Sequence, residues 1–355
     1  MPDHLAIALG HVGNGAEAAE VAARGYQLAA RSVEAAPLVF GLNEFHVEAL
    51  ILGGYQSEAE AETRRWARQT AEIPAVYGAY AASIIGRTEL SAGRVRSAVA
   101  WLDKALGGLR HFNNTRYLPV GICRSDLVIA LTLSGDLAAA TEALGALDAD
   151  AKPFGFQKSR FDLADAWVSS AHGAITEAVA KCWRGAEAAQ RLGHGAQEVR
   201  CLQTATRFGD HTTADRLNEL RAIVDGPRAS GAATHATALA AHDPEALMGS
   251  SQRLEQAGDV LAAADAAAHA ATTYRRQHRR GPALSAQERA HRLAQLCEGA
   301  TTPALREIAG ARPLTTRQRE IFAVADQGLT NRQIAERLGV SVRTVEGHRF
   351  RARDR

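Results

Sequence analysis

The sequence predicts an all-α protein, a long arm of stacked helical hairpins followed by a small C-terminal unit of short helices. Three observations predict it. Alanine occupies 74 of 355 positions while aromatic residues make up only 5%, a bias toward helices packed closely through small side chains. A glycine followed five residues later by an alanine recurs along the chain: Gly13/Ala18, Gly54/Ala59, Gly93/Ala98, Gly135/Ala140, Gly173/Ala178, Gly209/Ala214 and Gly258/Ala263. Finally, GLTNRQIAERLGVSVRTVEGH (residues 328–348) reads as two short helices hinged at Gly339-Val340-Ser341.

The arm comes first, residues 1–297. Each glycine ends one helix with positive φ, and an acid placed after it, as at Asp136, Asp210 and Asp259, favours the N-terminus of the next. The alanine one turn into the second helix lets its partner approach. Val95/Val99/Leu102 and Leu137/Thr141/Leu144 then line one face of their helices. No such hairpin buries its apolar face alone, so hairpins stack. An irregular α-bundle is the alternative, because coincidences of glycine and alanine arise in any alanine-rich helical chain. The segments resemble tetratricopeptide-like repeats.

Isolated features of the arm have plain readings. His46, His111, His172, His194 and His211 share no metal-ligand spacing, and Trp66, Trp101, Trp167 and Trp183 sit in helical patterns as packing residues. The run Arg275-Arg276-Gln277-His278-Arg279-Arg280 closes a helix before Gly281-Pro282, as a solvated end or a contact to DNA backbone. Cys123, Cys182, Cys201 and Cys297 form no CxxC pair and read as reduced, mostly buried thiols. No run of about 18 apolar residues and no basic-then-apolar leader is present, so the expectation is a cytoplasmic, nucleoid-associated protein.

Residues 298–312 are the joint, with Gly299, Pro303 and Gly310 around a short helix PALREIAG. The C-terminal unit, 313–355, follows. Thr315 and Gln318 form the capping box of its first helix, with Ile321, Phe322 and Ala325 facing inward. Thr330 and Gln333 repeat the device for the second helix, whose inner face is Ile334, Ala335 and Leu338. Gly339 gives the turn, Val340 plugs the corner, and Ser341 caps a third helix with Val342 and Val345 packed. A small alanine, a glycine turn and a capped polar second helix suit a helix-turn-helix whose last helix enters a major groove. Residues 312–355 also hold ten arginines against five acids, whereas 1–311 hold 31 basic against 34 acidic residues. Double-stranded DNA is the partner such an asymmetry fits.

PLTTRQREIFAVADQGLTNRQIAERLGVSVRTVEGH resembles the LuxR-type (GerE-type) DNA-binding domain of bacterial transcription regulators. The matching residues are Leu314-Thr315, Arg317, Glu320, Gly328-Leu329-Thr330-Asn331, Ile334-Ala335, Leu338, Val340-Ser341 and Thr344-Val345 with His348. A helical arm before such a domain is similar to the large ATP-dependent LuxR-type regulators, which carry a nucleotide-binding module upstream. The resemblance implies that Thr330, Asn331 and Arg332 approach phosphates, that Thr344 and His348 anchor the backbone, and that Arg343, Glu346, Gly347 and Phe350 lie nearest base edges, with Arg349 on the same outer side. Many family members carry lysine where Glu346 stands. It also implies a fourth helix that pairs two domains; the sequence stops at Arg355, so the expectation is a C-terminally truncated unit, with homodimerisation through that helix lost.

No enzyme motif is present. Lys104, Lys152, Lys158 and Lys181 all follow non-glycine residues, which excludes a P-loop, and HExxH, GxSxG and a Rossmann glycine fingerprint are missing. No cofactor is expected. The leading expectation is a transcription regulator whose arm receives a protein or small-molecule effector. The alternatives are a protein-interaction scaffold with a vestigial helix-turn-helix, tested by a partner that survives deletion of 313–355, and an ATP-driven switch, tested by nucleotide binding.

Overall fold

A computed structural model describes residues 2–29, 31, 38–70, 75–109, 118–150, 155–309, 321, 325 and 329–351. Among them the regular structure is all helix, nineteen helices and no strand. They run α1 (Pro2–Val12), α2 (Gly15–Ala29), α3 (Leu38–Gly53), α4 (Gln56–Thr70), α5 (Ala75–Ser91), α6 (Val95–Leu109), α7 (Leu118–Ser134), α8 (Leu137–Asp150), α9 (Gly155–Ala171), α10 (Ile175–Arg191), α11 (Gly195–Arg207) and α12 (Ala214–Leu220). Then come α13 (Pro227–Ala240), α14 (Pro244–Gln256), α15 (Val260–Arg276), α16 (Arg280–Leu296), α17 (Pro303–Ala309), α18 (Asn331–Leu338) and α19 (Val342–Arg351).

The glycine–alanine spacing has a direct structural cause. All seven glycines have φ between 82° and 113°. In each turn the residue after the glycine donates its N–H back over five positions, as Tyr55 does to the Leu50 carbonyl and Arg94 to the Glu89 carbonyl. That bond satisfies an orphan carbonyl at the helix end. The carbonyl of the same residue then accepts the alanine N–H, Ala59 to Tyr55 and Ala98 to Arg94 among them, which starts the next helix. Ala18, Ala59, Ala98, Ala140, Ala178 and Ala263 are each 0% exposed, so the first turn of the second helix lies flat against its partner. Ala214 is the exception. There α12 starts late, its first turn closing from Leu217 to Thr213, and Ala214 is only half-buried.

Hairpins α1/α2, α3/α4, α5/α6, α7/α8 and α9/α10 stack through their first helices, α1 on α3, α3 on α5, α5 on α7 and α7 on α9. Those first helices share a ladder of buried charge, Glu44 and Glu48 on α3, Arg87 on α5, Asp126 on α7 and Arg160 on α9, which the half-buried Arg200 of α11 joins. Arg87 and Arg160 both pair with Glu48, Arg87 also lies 3.3 Å from Glu44 and 3.4 Å from Asp126, and Arg200 reaches Asp126 at 3.1 Å. Such a network adds little net stability, because desolvation offsets attraction, but a slipped neighbour would leave a charge buried and unpaired. The ladder fixes the stacking register.

The stack then closes on itself, since α11 packs on α1 and α3, and α13 on α3. The later segments cap the turns of the earlier hairpins in order. Asp225 accepts the Gly15 and Ala16 amides at the start of α2, and Arg228 donates to the Ile51 and Leu52 carbonyls at the end of α3. Glu298 accepts the Arg96 and Ser97 amides at the start of α6. The Thr301 amide reaches the Leu133 carbonyl at the end of α7, and Arg306 the Ser170 carbonyl at the end of α9. Gly226 passes so close to α3 that a Cβ on it would lie 2.4 Å from the Gly53 carbonyl oxygen.

At the centre of the second half stands α15, whose alanines 262, 263, 264, 266, 267, 268, 270 and 271 are all 0% exposed. A helix buried all round is a core mast. Its one carboxylate, Asp265, is 0% exposed and is held by Arg207 at 2.6 Å and by the Thr302 hydroxyl at 2.5 Å. Burial raises the Asp265 carboxyl above its ordinary range, against the pull of Arg207. Thr302 in turn caps α17 through the Leu305 amide, so the joint helix is tied to the mast.

Several details differ from expectation. Asp136 and Asp259 do cap α8 and α15, through the Ala139 and Ala262 amides. Asp210 does not cap α12, because its carboxylate takes the Thr212 amide and the Trp183 indole N–H instead. Thr141 is exposed, its hydroxyl turned back to the Leu137 carbonyl, and among the described side chains of α8 the buried ones are Ala140 and Leu147. The basic run 275–280 covers the end of α15, the turn at 277–279 and the first residue of α16, with Gly281-Pro282 inside the first turn of α16, and Arg279 pairs with Glu245 at 2.5 Å. All four cysteines are free and buried, and burial pushes the Cys123, Cys201 and Cys297 thiols up to about 12. Trp66 and Trp167 are buried, Trp101 and Trp183 half-buried. His111 lies outside the described residues.

Candidate nucleic-acid interface

The interface is built from two short helices. Helix α18 starts at Thr330, in an extended conformation at φ −71° and ψ 159°; its hydroxyl accepts the Gln333 amide while the Gln333 side chain accepts the Thr330 amide at 2.9 Å. This capping box uses the third-position amide and leaves the earlier N–H groups of the helix pointing outward, where an anion is favoured. Gly339 ends the helix at φ 63° and ψ 37°, with the Val340 amide returned to the Ala335 carbonyl at 3.0 Å. A Cβ at Gly339 would meet nothing within 4 Å, so the backbone conformation alone accounts for glycine.

Ser341 opens α19: its hydroxyl accepts the Thr344 amide at 3.0 Å and shares a 2.7 Å bond with the Thr344 hydroxyl. Ile321, Ile334, Ala335 and Val345 form the buried centre, with Ala325, Leu329, Leu338 and Val340 packed at its edge. Ala335 is 3% exposed, within the cluster that joins α18 and α19. The Thr315–Gln318 capping box, Phe322 and Gly328 lie outside the described residues.

The polar side of α19 faces solvent. Arg343 and Glu346 are exposed and Gly347 half-buried, at spacings of three and four that place them on one face. Thr344 is half-buried with its hydroxyl engaged by Ser341. On α18, Thr330 is exposed, Asn331 half-buried, and the Arg332 side chain is 84% exposed, 3.6 Å from Glu336. The backbone of His348, Arg349 and Phe350 continues α19; their side chains lie outside the described residues. One assignment needs correction: Val342 is 37% exposed and does not share the buried face with Val345, which is 0% exposed. Residue 342 is the first of the helix, so its side chain leans out over the N-terminal end rather than down onto α18. Periodicity gave Val342 to the core and so missed it as a surface residue at the start of α19.

Comparison with known families finds a match to sigma-70, region 4, over residues 313–355. That is a helix-turn-helix region found in sigma factors and in LuxR-type regulators, and the C-terminal 43 residues of this chain are similar to it. No curated protein matches the chain. The C-terminus therefore carries a helix-turn-helix region of a DNA-binding type.

Proposed function

We propose that this chain is a LuxR-type transcription regulator, in which a tetratricopeptide-like arm of residues 1–297 receives an effector and residues 313–355 bind promoter DNA. The observation that carries the reading is the exposed polar face of α19, mounted on a capped α18 and a left-handed Gly339 turn. Arg343 suits guanine and Glu346 suits the cytosine amino group, while exposed Val342 offers a methyl surface to thymine. Thr330, Asn331 and Arg332 sit at the helix end where phosphate contacts position a domain without specifying sequence. The reading assigns the chain no catalytic step and no cofactor.

Selection of bound duplexes from a random DNA library by the full chain, followed by a salt titration of the selected site, tests it. The expected result is an enriched sequence whose affinity falls linearly in log K against log salt, and whose base preference at one position relaxes in Arg343→Ala. Recovery of no sequence at low salt, or binding indifferent to salt, would refute it.

A further inference from the structure

The structure assigns a binding site for a small organic anion with an apolar body to the cleft between α15 and α17. The cleft encloses about 540 Å³, within the range of about 300–1,000 Å³ that holds small ligands. Its apolar wall is Ile175, Phe208, Leu239 and Pro303. Phe208 is held rigidly, edge-on to Trp167 with ring centroids 4.8 Å apart.

The polar groups converge on one charge sign. Arg276 from α15 and Arg306 from α17 both line the cleft, against a single carboxylate, Glu307, which already stands 3.9 Å from Arg276. Among the described residues Arg306 has no carboxylate partner. Its described partner is the neutral Ser170 carbonyl at 2.6 Å, which occupies one of its five N–H donors. A guanidinium fork with free donors matches carboxylate and phosphate oxygens in pairs. His269 adds a hydrogen-bonding atom. Its Nδ1 lies 3.1 Å from His235 Nε2, which leaves Nε2 as the ring nitrogen available to the cleft, and burial holds both rings uncharged.

Position gives the site its meaning. One wall is the mast of the arm; the other is the helix that leads, within a few residues, into the segment similar to sigma-70, region 4. A bound anion therefore ties α17 to α15 through both arginines. The regulatory sense of this rests on the function proposed above, but the binding does not, and neither does its test.

Isothermal titration of the full chain with benzoate and with phenyl phosphate tests the site, with benzyl alcohol and inorganic phosphate as the neutral and non-apolar counterparts. The expected result is one-to-one binding of at least one aromatic anion, tighter by tenfold or more than either counterpart; whichever anion binds separates a carboxylate from a phosphomonoester ligand. Arg276→Gln and Arg306→Gln each weaken it at least tenfold, and Arg276, 66% exposed, can be changed without risk to folding. Hydrogen exchange in residues 303–309 slows when the anion is bound. Absence of one-to-one binding by both anions, equal binding by the double variant, or binding that leaves exchange in α17 unchanged would each overturn the assignment.

Discussion

Removing the Arg228 guanidinium while keeping its stem, in Arg228→Met, tests the closure of the arm. The side chain is 13% exposed and spans three elements. Its Nε and Nη2 donate to the Ile51 and Leu52 carbonyls at 3.0–3.3 Å, and Nη1 donates to Gln203 at 2.9 Å and lies 3.4 Å from Asp259. These losses are unequal. The Ile51 carbonyl keeps the Gly54 amide, and Asp259 keeps the Gln203 side chain and the Ala262 amide. The Leu52 carbonyl retains no other described partner, and a buried acceptor left alone costs about 1–3 kcal/mol. Loss of the charge-assisted bond toward Asp259 adds about 1.5–3 kcal/mol.

Against this, burial pulls the Arg228 pKa down, a sign of dehydration that its removal relieves. The net expectation is a loss of about 2–4 kcal/mol, read as a lower urea midpoint at constant slope by circular dichroism. Arg228→Lys should recover only part, since one ammonium cannot serve both carbonyls and Asp259. A midpoint for Arg228→Met within about 0.5 kcal/mol of the parent would refute the claim that this residue holds α13 to α3.

Three further outcomes are expected. Gly226→Ala should destabilise far more than Gly135→Ala: both have φ 91°, which costs an alanine about 1–2 kcal/mol, but only residue 226 brings its Cβ against a carbonyl while 135 faces open space; equal urea midpoints would contradict the close approach. Ala335→Leu should cost about 1–3 kcal/mol in the C-terminal unit and lower DNA affinity while the arm's melting stays unchanged, and full tolerance would mean that α18 and α19 do not meet there. Stability should fall as pH drops from about 6.5 toward 4. Burial, with His194 and Arg87 adding repulsion, holds His11 down to about 4, and burial does the same to His269, so the unfolded chain takes up protons that the fold refuses. Each such histidine contributes up to about 1.4 kcal/mol per pH unit. Glu44 and Asp265, raised by burial, bind protons more readily in the fold and oppose this. Denaturant midpoints at pH 7 and pH 5.5 measure the slope, and His11→Asn should flatten it by one histidine's share; an unaltered slope would sink the assignment.

How much of this was legible follows from how local each signal is. Gly54, Gly93 and Gly135 could be read because a left-handed residue between two amphipathic stretches leaves few other residue types, and the alanine five positions on marks the first closed turn. The Thr330–Gln333 box and Gly339 were legible for the same reason. The turns at His242, His278 and Glu298 were not, since they reach φ of 51–58° without glycine and leave no mark in the sequence. This is why the spacing skips from Gly209 to Gly258 across the α13/α14 turn. Asp225, Arg228 and Glu298 look like ordinary surface charges in sequence. Their partners lie about two hundred positions away, and no periodicity records a bond between turns of different hairpins.

The same closure bears on two readings of the arm, of which the sequence ranked the regulator above the scaffold. A hairpin stack serving as an open scaffold needs a free inner face to hold a partner segment. Here Glu44, Glu48, Arg87, Asp126 and Arg160 on the first helices are each 5% exposed or less, and the turns they lead to are capped by residues 225–306 of the same chain. A peptide entering that face would have to displace the caps and leave several buried charges without partners, each a cost of kilocalories. The cleft at α15 and α17 carries no such penalty, because its cationic groups already face open space. The effector proposed for this arm is therefore expected to be small and to act at the joint, and a protein partner is expected to bind only where the closure has been broken, as in Arg228→Met.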